Sequence, residues 1–215
     1  MTEPRISPLG DSAVTITLGD GISEGLSQKV VSEARVISES AIRGVKDVVP
    51  SYATVTVHYD PLRIGYADLR SRLLALASPA QFAANASGAT QAHEIPVRYD
   101  GEDLQDVAAR ARMTVDDVIE IHSATEYRVF VIGFVPGFAY LGVLDARLVL
   151  PRRESPRKRV PAGSVAIAEA QTGIYPSETP GGWHLIGTTS VRMFDPARCQ
   201  PALFAVGDRV RFVPA

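Results

Sequence analysis

Hydrophobic positions in the first hundred residues switch between two periods. Val14, Ile16 and Leu18 alternate within residues 13–18, after the Gly10-Asp11-Ser12 turn, and predict a half-buried strand. Ile22, Leu26, Val30, Ala34, Ile37 and Ala41 then recur at helical spacing, and Gly44 stands where that helix is expected to stop. Residues 45–50 and 52–59 read as two further strands, the second alternating through Val55, Val57 and Tyr59 and turning at Asp60-Pro61. Tyr66, Leu69, Leu73 and Leu76 form a second helical stripe. Residues 78–92, rich in Ala, Ser, Gln and Asn with Phe82 as the large apolar exception, read as an exposed connector. Ile95, Val97 and Tyr99 alternate beyond it. The resulting order β-α-β-β-α-β predicts a ferredoxin-like α/β domain over residues 1–92, with its last strand at 93–99.

The pattern changes after Asp100-Gly101. A short helix is predicted over 102–112, and Thr114 with Asp117 three residues later marks the N-cap of another. On that second helix Val115, Val118, Ile119 and His122 follow i, i+3, i+4, i+7, so His122 ends the apolar face and is expected to be at least partly buried. It is either a core histidine with satisfied nitrogens or a general acid or base. From Tyr127 onward only short β-prone runs follow, at 127–132, 164–168, 183–186, 191–194 and 209–213, separated by Gly and Pro turns. Over 100–215 this predicts a barrel or a sandwich, and the chain as a whole is α+β.

Turn residues concentrate in one region. Residues 133–187 hold eight of the 17 glycines and six of the 15 prolines, enough to hold irregular loops in one shape, and such loops commonly carry a site. The net charge of −2 gives no general attraction to nucleic acid or anionic membrane, yet residues 151–159 carry five basic side chains against Glu154. Arg152, Arg157 and Arg159 supply planar forks for phosphate or carboxylate oxygens, and Gly163 and Ser164 add a backbone N–H and a hydroxyl beside them. Arg157 is also the candidate to offset negative charge that develops during catalysis. Phe134, Phe138, Tyr140, Tyr175 and Trp183 can form an apolar wall for a small ring or a nucleobase, on loops shaped by Pro136, Gly137, Gly181 and Gly182.

Several chemistries are excluded. Only Lys29, Lys46 and Lys158 are present, with no Gly-x-x-x-x-Gly-Lys-Ser/Thr run, so there is no P-loop. A Gly-x-Ser-x-Gly elbow is absent, and the histidines show no zinc-ligand spacing, so no metal site is expected. Cys199 is the single cysteine, no apolar signal core follows the N-terminus, and no run reaches the roughly 18 apolar residues of a membrane span. A cytoplasmic protein is expected.

Motifs along most of the chain point to one family. Glu120-Ile121-His122, Tyr127-Arg128-Val129, Gly133-Phe134-Val135-Pro136-Gly137-Phe138-Ala139-Tyr140-Leu141-Gly142, Pro151-Arg152-Arg153, Val160-Pro161-Ala162-Gly163-Ser164-Val165 and Pro180-Gly181-Gly182-Trp183 resemble the B component of 5-oxoprolinase, also called allophanate hydrolase subunit 1 and KipI-type kinase inhibitor. The same residues are similar to one half of the carboxyltransferase domain of urea amidolyase. The resemblance implies an N-terminal α/β domain and a C-terminal cyclophilin-like β-barrel over 100–215. It implies a heteromeric enzyme in which this chain works with a related second subunit (the 5-oxoprolinase C component, or allophanate hydrolase subunit 2) and with a third (the 5-oxoprolinase A component), opening 5-oxoproline to glutamate with ATP and magnesium. Allophanate hydrolysis or urea-amidolyase-like carboxyl transfer is the alternative reaction, and inhibition of a sensor histidine kinase by protein binding is the alternative class. It also favours the catalytic reading of His122. One departure stands out: where the family commonly has Gly-Arg-Thr-Pro, this chain has Gly187-Thr188-Thr189-Ser190.

Overall fold

The alternating run at 13–17 forms strand β2 (Ala13–Thr17) in the computed structural model, which describes residues 5–76 and 90–215. The chain divides into two units, Met1–Ala89 and Thr90–Ala215. The predicted connector lies outside the described residues except at 90–92. In the first unit β1 (Arg5–Leu9) forms a hairpin with β2, and β3 (Val45–Pro50) forms another with β4 (Thr54–Tyr59), giving an antiparallel sheet in the order β1-β2-β4-β3. Val14 and Ile16 of β2 and Val55, Val57 and Tyr59 of β4 share one core with the helices α1 (Glu24–Glu39) and α2 (Tyr66–Leu76). Val30, Ala34 and Ile37 of α1 and Leu69 and Leu73 of α2 supply the facing stripes. Ser23 caps α1 by accepting from Leu26 N–H. The helix ends at Glu39, before Gly44, whose left-handed φ of +98° serves the turn into β3.

The ferredoxin-like expectation is overturned. The strand predicted at 93–99 is β5 (Ala92–Val97), and it pairs in parallel with β13 (Arg209–Pro214) in the second unit. Its inward side chains, Ile95 and Val97, belong to the second unit's core. The place beside β2 is taken by β1, which carries Pro8 and shows no alternation.

The second unit is built on a seven-stranded sheet in the order β12-β9-β10-β7-β6-β13-β5, from β6 (Glu126–Ile132), β7 (Ala139–Gly142), β9 (Ser164–Ala168), β10 (Gln171–Ile174) and β12 (His184–Thr188) with the strands already named. A two-stranded ribbon joins β8 (Arg157–Val160) to β11 (Thr179–Gly181). Residues 191–194, predicted as a strand, make only an isolated bridge between Phe194 and Ala202. The sheet curls until its two ends meet: Arg98, just past β5, and Thr188, at the end of β12, exchange N–H···O bonds of 2.9 and 2.8 Å. Every residue of β9 is buried because both faces are covered. Val165 and Ile167 enter the main core with Ile95, Val129, Leu141 and Phe212, whereas Ala166 and Ala168 face a smaller cluster of Phe138, Val160, Tyr175, Trp183 and Leu185. The helices α3 (Leu104–Ala111) and α4 (Val115–Ala124) contribute Leu104, Val107, Val118 and Ile121 to the main core. No described helix is long and apolar enough to cross a membrane.

The seam needs glycine. A Cβ on Gly187 would lie 2.6 Å from Arg98 O, and one on Gly101 would fall onto the backbone of Leu185 and Ile186. Gly101→Ala is therefore expected to destabilise the protein by about 3 kcal/mol. Gly25→Ala, in open space on α1, is expected to stabilise it by about 0.5–1 kcal/mol. Urea denaturation of both variants checks the contrast, and equal midpoints would contradict this account of the seam.

Candidate functional site

Helix α4 begins with a capping box: Asp117 N–H donates to Thr114 Oγ1 at 3.1 Å, and Thr114 N–H donates to Asp117 Oδ2 at 2.8 Å. This fixes the face that carries His122 inward. The ring is fully buried and stacked on Phe212, with centroids 4.5 Å apart. Thr172 Oγ1–H donates to Ala166 O at 3.1 Å, which spends its single proton, so His122 Nε2–H donates to Thr172 Oγ1 at 2.9 Å. Nδ1 is then the acceptor for Tyr99 O–H at 2.8 Å, and Tyr127 O–H donates to the His122 carbonyl at 3.1 Å. Desolvation lowers the His122 pKa to about 3, so the imidazole is neutral. With no exposed surface and both nitrogens engaged, His122 cannot reach a substrate, and its place is structural. This corrects its assignment as a catalytic residue.

The basic loop folds back onto one buried carboxylate. Asp103 stands at the N-cap of α3 but makes no side-chain bond to that helix. Instead its Oδ2 accepts Leu185 N–H at 2.7 Å, and its Oδ1 accepts Arg153 Nη1–H at 2.7 Å and Arg157 Nη2–H at 2.8 Å. Burial works to raise the Asp103 carboxyl, but the Arg157 hydrogen bond, the Leu185 N–H and the two guanidinium charges outweigh it and hold the group below the usual carboxylate range. Arg157 also reaches the exposed Glu102 at 3.1 Å. The other two predicted arginines are elsewhere on the surface: Arg152 lies 3.5 Å from Glu169, and Arg159 pairs with Glu178 at 2.8 Å. Four of the five basic side chains of this loop are thus matched by carboxylates.

The five aromatic side chains expected to form a wall lie together, three of them as a buried core cluster. Phe138 meets Tyr140, Tyr175 and Trp183 edge-on at centroid distances of 4.9, 5.3 and 5.5 Å. Phe138, Tyr175 and Trp183 are buried, while Tyr140 is half-buried. Gly181 leaves room for the Tyr175 hydroxyl, which a Cβ there would strike, and Gly182 O accepts Arg153 N–H at 2.8 Å. Phe134 sits over the wall, 5.7 Å from Phe138, yet is 60% exposed and has a left-handed φ of 72°. A bulky residue held there stores roughly 1–3 kcal/mol of backbone strain. Pro136 and Gly137 complete that turn, and Gly137, at φ 84°, packs against Phe194. Gly163 and Ser164 are structural: Gly163 exchanges backbone bonds with Tyr175 and Thr189, and Ser164 is buried in β9 opposite Thr188. A separate open depression of about 320 Å³ is lined by Met113, Asp117, Glu120, Ile121, Ala124 and Arg147 and includes none of these candidates. Asp103 is the member of this cluster that the sequence does not single out, and Arg153 is read there only as part of the basic run.

Residues 4–204 match the family described as carboxyltransferase domain, subdomain C and D. The chain is 38% identical to the B component of 5-oxoprolinase from Bacillus subtilis (strain 168) over 226 residues, covering 97% of this chain and 92% of that one. Among solved structures, TTHA0988 superposes with a TM-score of 0.84 at 40% identity over 94% of this chain, which spans only 40% of that longer protein. The K. lactis urea amidolyase shares the fold, with a TM-score of 0.75 at 17% identity over 99% of this chain and 15% of its own.

Two measurements check the buried groups. The unfolded chain binds a proton on His122 below about pH 6.5, and the folded chain does so only near pH 3. The stabilising contribution is therefore complete above pH 6.5 and is lost as the pH falls, at about 1.4 kcal/mol per pH unit down to about pH 3. In His122→Asn that slope, read from urea midpoints across pH 4–7, is expected to flatten. Asp103→Asn leaves two guanidinium groups facing each other and is expected to cost about 3–5 kcal/mol. A loss below 1 kcal/mol would show that the arginines do not depend on it.

Proposed function

Since the chain belongs to the carboxyltransferase-domain family that also holds the B component of bacterial 5-oxoprolinase, we propose that it fills the same place in a heteromeric 5-oxoprolinase, which opens the cyclic amide of 5-oxoproline to glutamate with ATP. The identity to the B. subtilis protein over 97% of the chain carries this reading. We read the curled seven-stranded sheet, closed between Arg98 and Thr188, as its cyclophilin-like barrel.

The residues described do not fit a nucleotide with its magnesium. A triphosphate needs several uncommitted cations or a backbone cradle, and Arg152, Arg153, Arg157 and Arg159 are each paired with a carboxylate. Among the described residues no three His, Cys, Asp or Glu side chains are grouped to hold a divalent ion. This favours another subunit as the one that handles ATP. What this chain offers is a shaped surface: the strained, exposed Phe134, the half-buried Tyr140 and the exposed Arg152 surround a rigid aromatic cluster. A water-excluding wall of this kind suits one side of a site whose other side belongs to a related subunit.

The isolated chain is expected to show no ATP-dependent ring opening. After co-expression it is expected to co-elute with the related second subunit, and to support ADP and glutamate release once the third subunit is added. Size-exclusion chromatography with coupled ADP and glutamate assays checks this. Full turnover by the chain alone, or failure to co-elute, would overturn the proposal.

A further inference from the structure

The cluster at Asp103 is not fully satisfied. Arg153 Nη1 and Arg157 Nη2 share one oxygen of Asp103, which sets the two guanidinium groups side by side. Both groups keep further donors: Arg153 Nε and Arg157 Nη1 are buried and have no acceptor among the described residues. A charged donor buried without an acceptor is costly, and the cost disappears when an oxygen ligand arrives.

The charge count narrows the ligand. Two arginines face one buried carboxylate, which leaves a single positive excess within the buried part of the cluster. The second acid in reach, Glu102, is at the rim with its side chain 68% exposed, and it holds Arg157 through one 3.1 Å contact. One monoanion balances the excess, whereas a triphosphate overfills it. A planar carboxylate also matches the geometry of guanidinium forks. The Arg153 side chain is 33% exposed, so the cluster lies at the edge of the fold, with the two open donors just beneath the surface. The glycine turn at 181–182 borders both arginines: Arg157 lies opposite Gly181 in the β8–β11 ribbon, and Arg153 N–H donates to Gly182 O.

We propose that Arg153 and Arg157, held on Asp103, form a binding site for the carboxylate of a small organic acid. Resting on the function proposed above, this site takes the carboxylate of 5-oxoproline and leaves the ring amide free to face a partner subunit. Arg153 and Arg157 are then binding residues, and Asp103 is a positioning residue that keeps both forks aligned.

The test uses the full chain and arginine Nε–H resonances in ¹⁵N–¹H spectra. The Arg153 signal is expected to shift saturably with 5-oxoproline and with acetate, but not with 2-pyrrolidinone, which keeps the ring and lacks the carboxylate. Arg153→Gln is expected to weaken 5-oxoproline binding at least tenfold while the chain stays folded, whereas Arg192→Gln, on a surface pair with Asp195, leaves it unchanged. Because the ligand comparison is made on the wild-type chain, it stands even if a variant misfolds. No shift with either acid means the open donors hold only water and overturns the site, as does an equal response to 2-pyrrolidinone. A wild-type response to 5-oxoproline that vanishes in the assembled complex assigns the arginines to a partner's carboxylate and also overturns it. Binding of both acids without 5-oxoproline turnover by the complex keeps the site and removes the 5-oxoprolinase reading. Turnover by the complex with an unresponsive Arg153 does the reverse.

Discussion

The two backbone bonds between Arg98 and Thr188 are the constraint on which the second unit depends. They close the sheet, and they bring the segment that follows β5 across the end of β12, where Gly101 and Gly187 allow contact with no side chain between. Two residues after Gly101, Asp103 is thereby delivered to the Leu185 N–H. Only then is a carboxylate present to gather Arg153 and Arg157 from a loop some fifty residues away. The order of dependence runs from strand closure to carboxylate placement to arginine placement, and each step is local once the preceding one is made.

Two buried polar centres in this unit show opposite solutions to the same problem. His122 is desolvated into neutrality, and its two nitrogens are matched one for one by Tyr99 and Thr172. Asp103 keeps its charge because two guanidinium groups and an amide outweigh the cost of burial. The first arrangement has no capacity left over. The second has more donors than acceptors, and that surplus separates a packing device from a place where a ligand can be held.

Legibility in the sequence followed the range of the interactions. The alternation of Val55, Val57 and Tyr59, the stripe of α1 and the Thr114 capping box rest on neighbours within a few residues, and all three appear as read. Strand β5 was also legible as a strand, but its partner was not: nothing in Ile95 and Val97 tells whether they will join β2 or β13. β1 hid behind Pro8, and β8, β10 and β11 are too short for a period to show. The aromatic side chains around Phe138 lie on loops that Gly and Pro motifs flag, but the sequence does not tell that Phe138, Tyr175 and Trp183 are buried as a core. Asp103 gives no signal because it falls within the predicted helix at 102–112 as one acidic residue among several, and its partners Arg153, Arg157 and Leu185 lie on distant segments.

Strand β13 sits between β5 and β6, and the pairing of Gln91 with Asp208 spans 117 residues. During synthesis the ribosome delivers β5 and β6 long before the strand that separates them exists. Until residues 209–214 emerge, both present unpaired backbone edges, and the core face that ends in Phe212 has no lid. High contact order of this kind delays closure of the second unit until residues 209–214 have emerged and exposes the nascent chain to mispairing with its neighbours on the polysome. A cell making this protein therefore has reason to engage a holding chaperone on the unfinished sheet of the second unit rather than on the first unit, whose described hairpins and helices close among themselves.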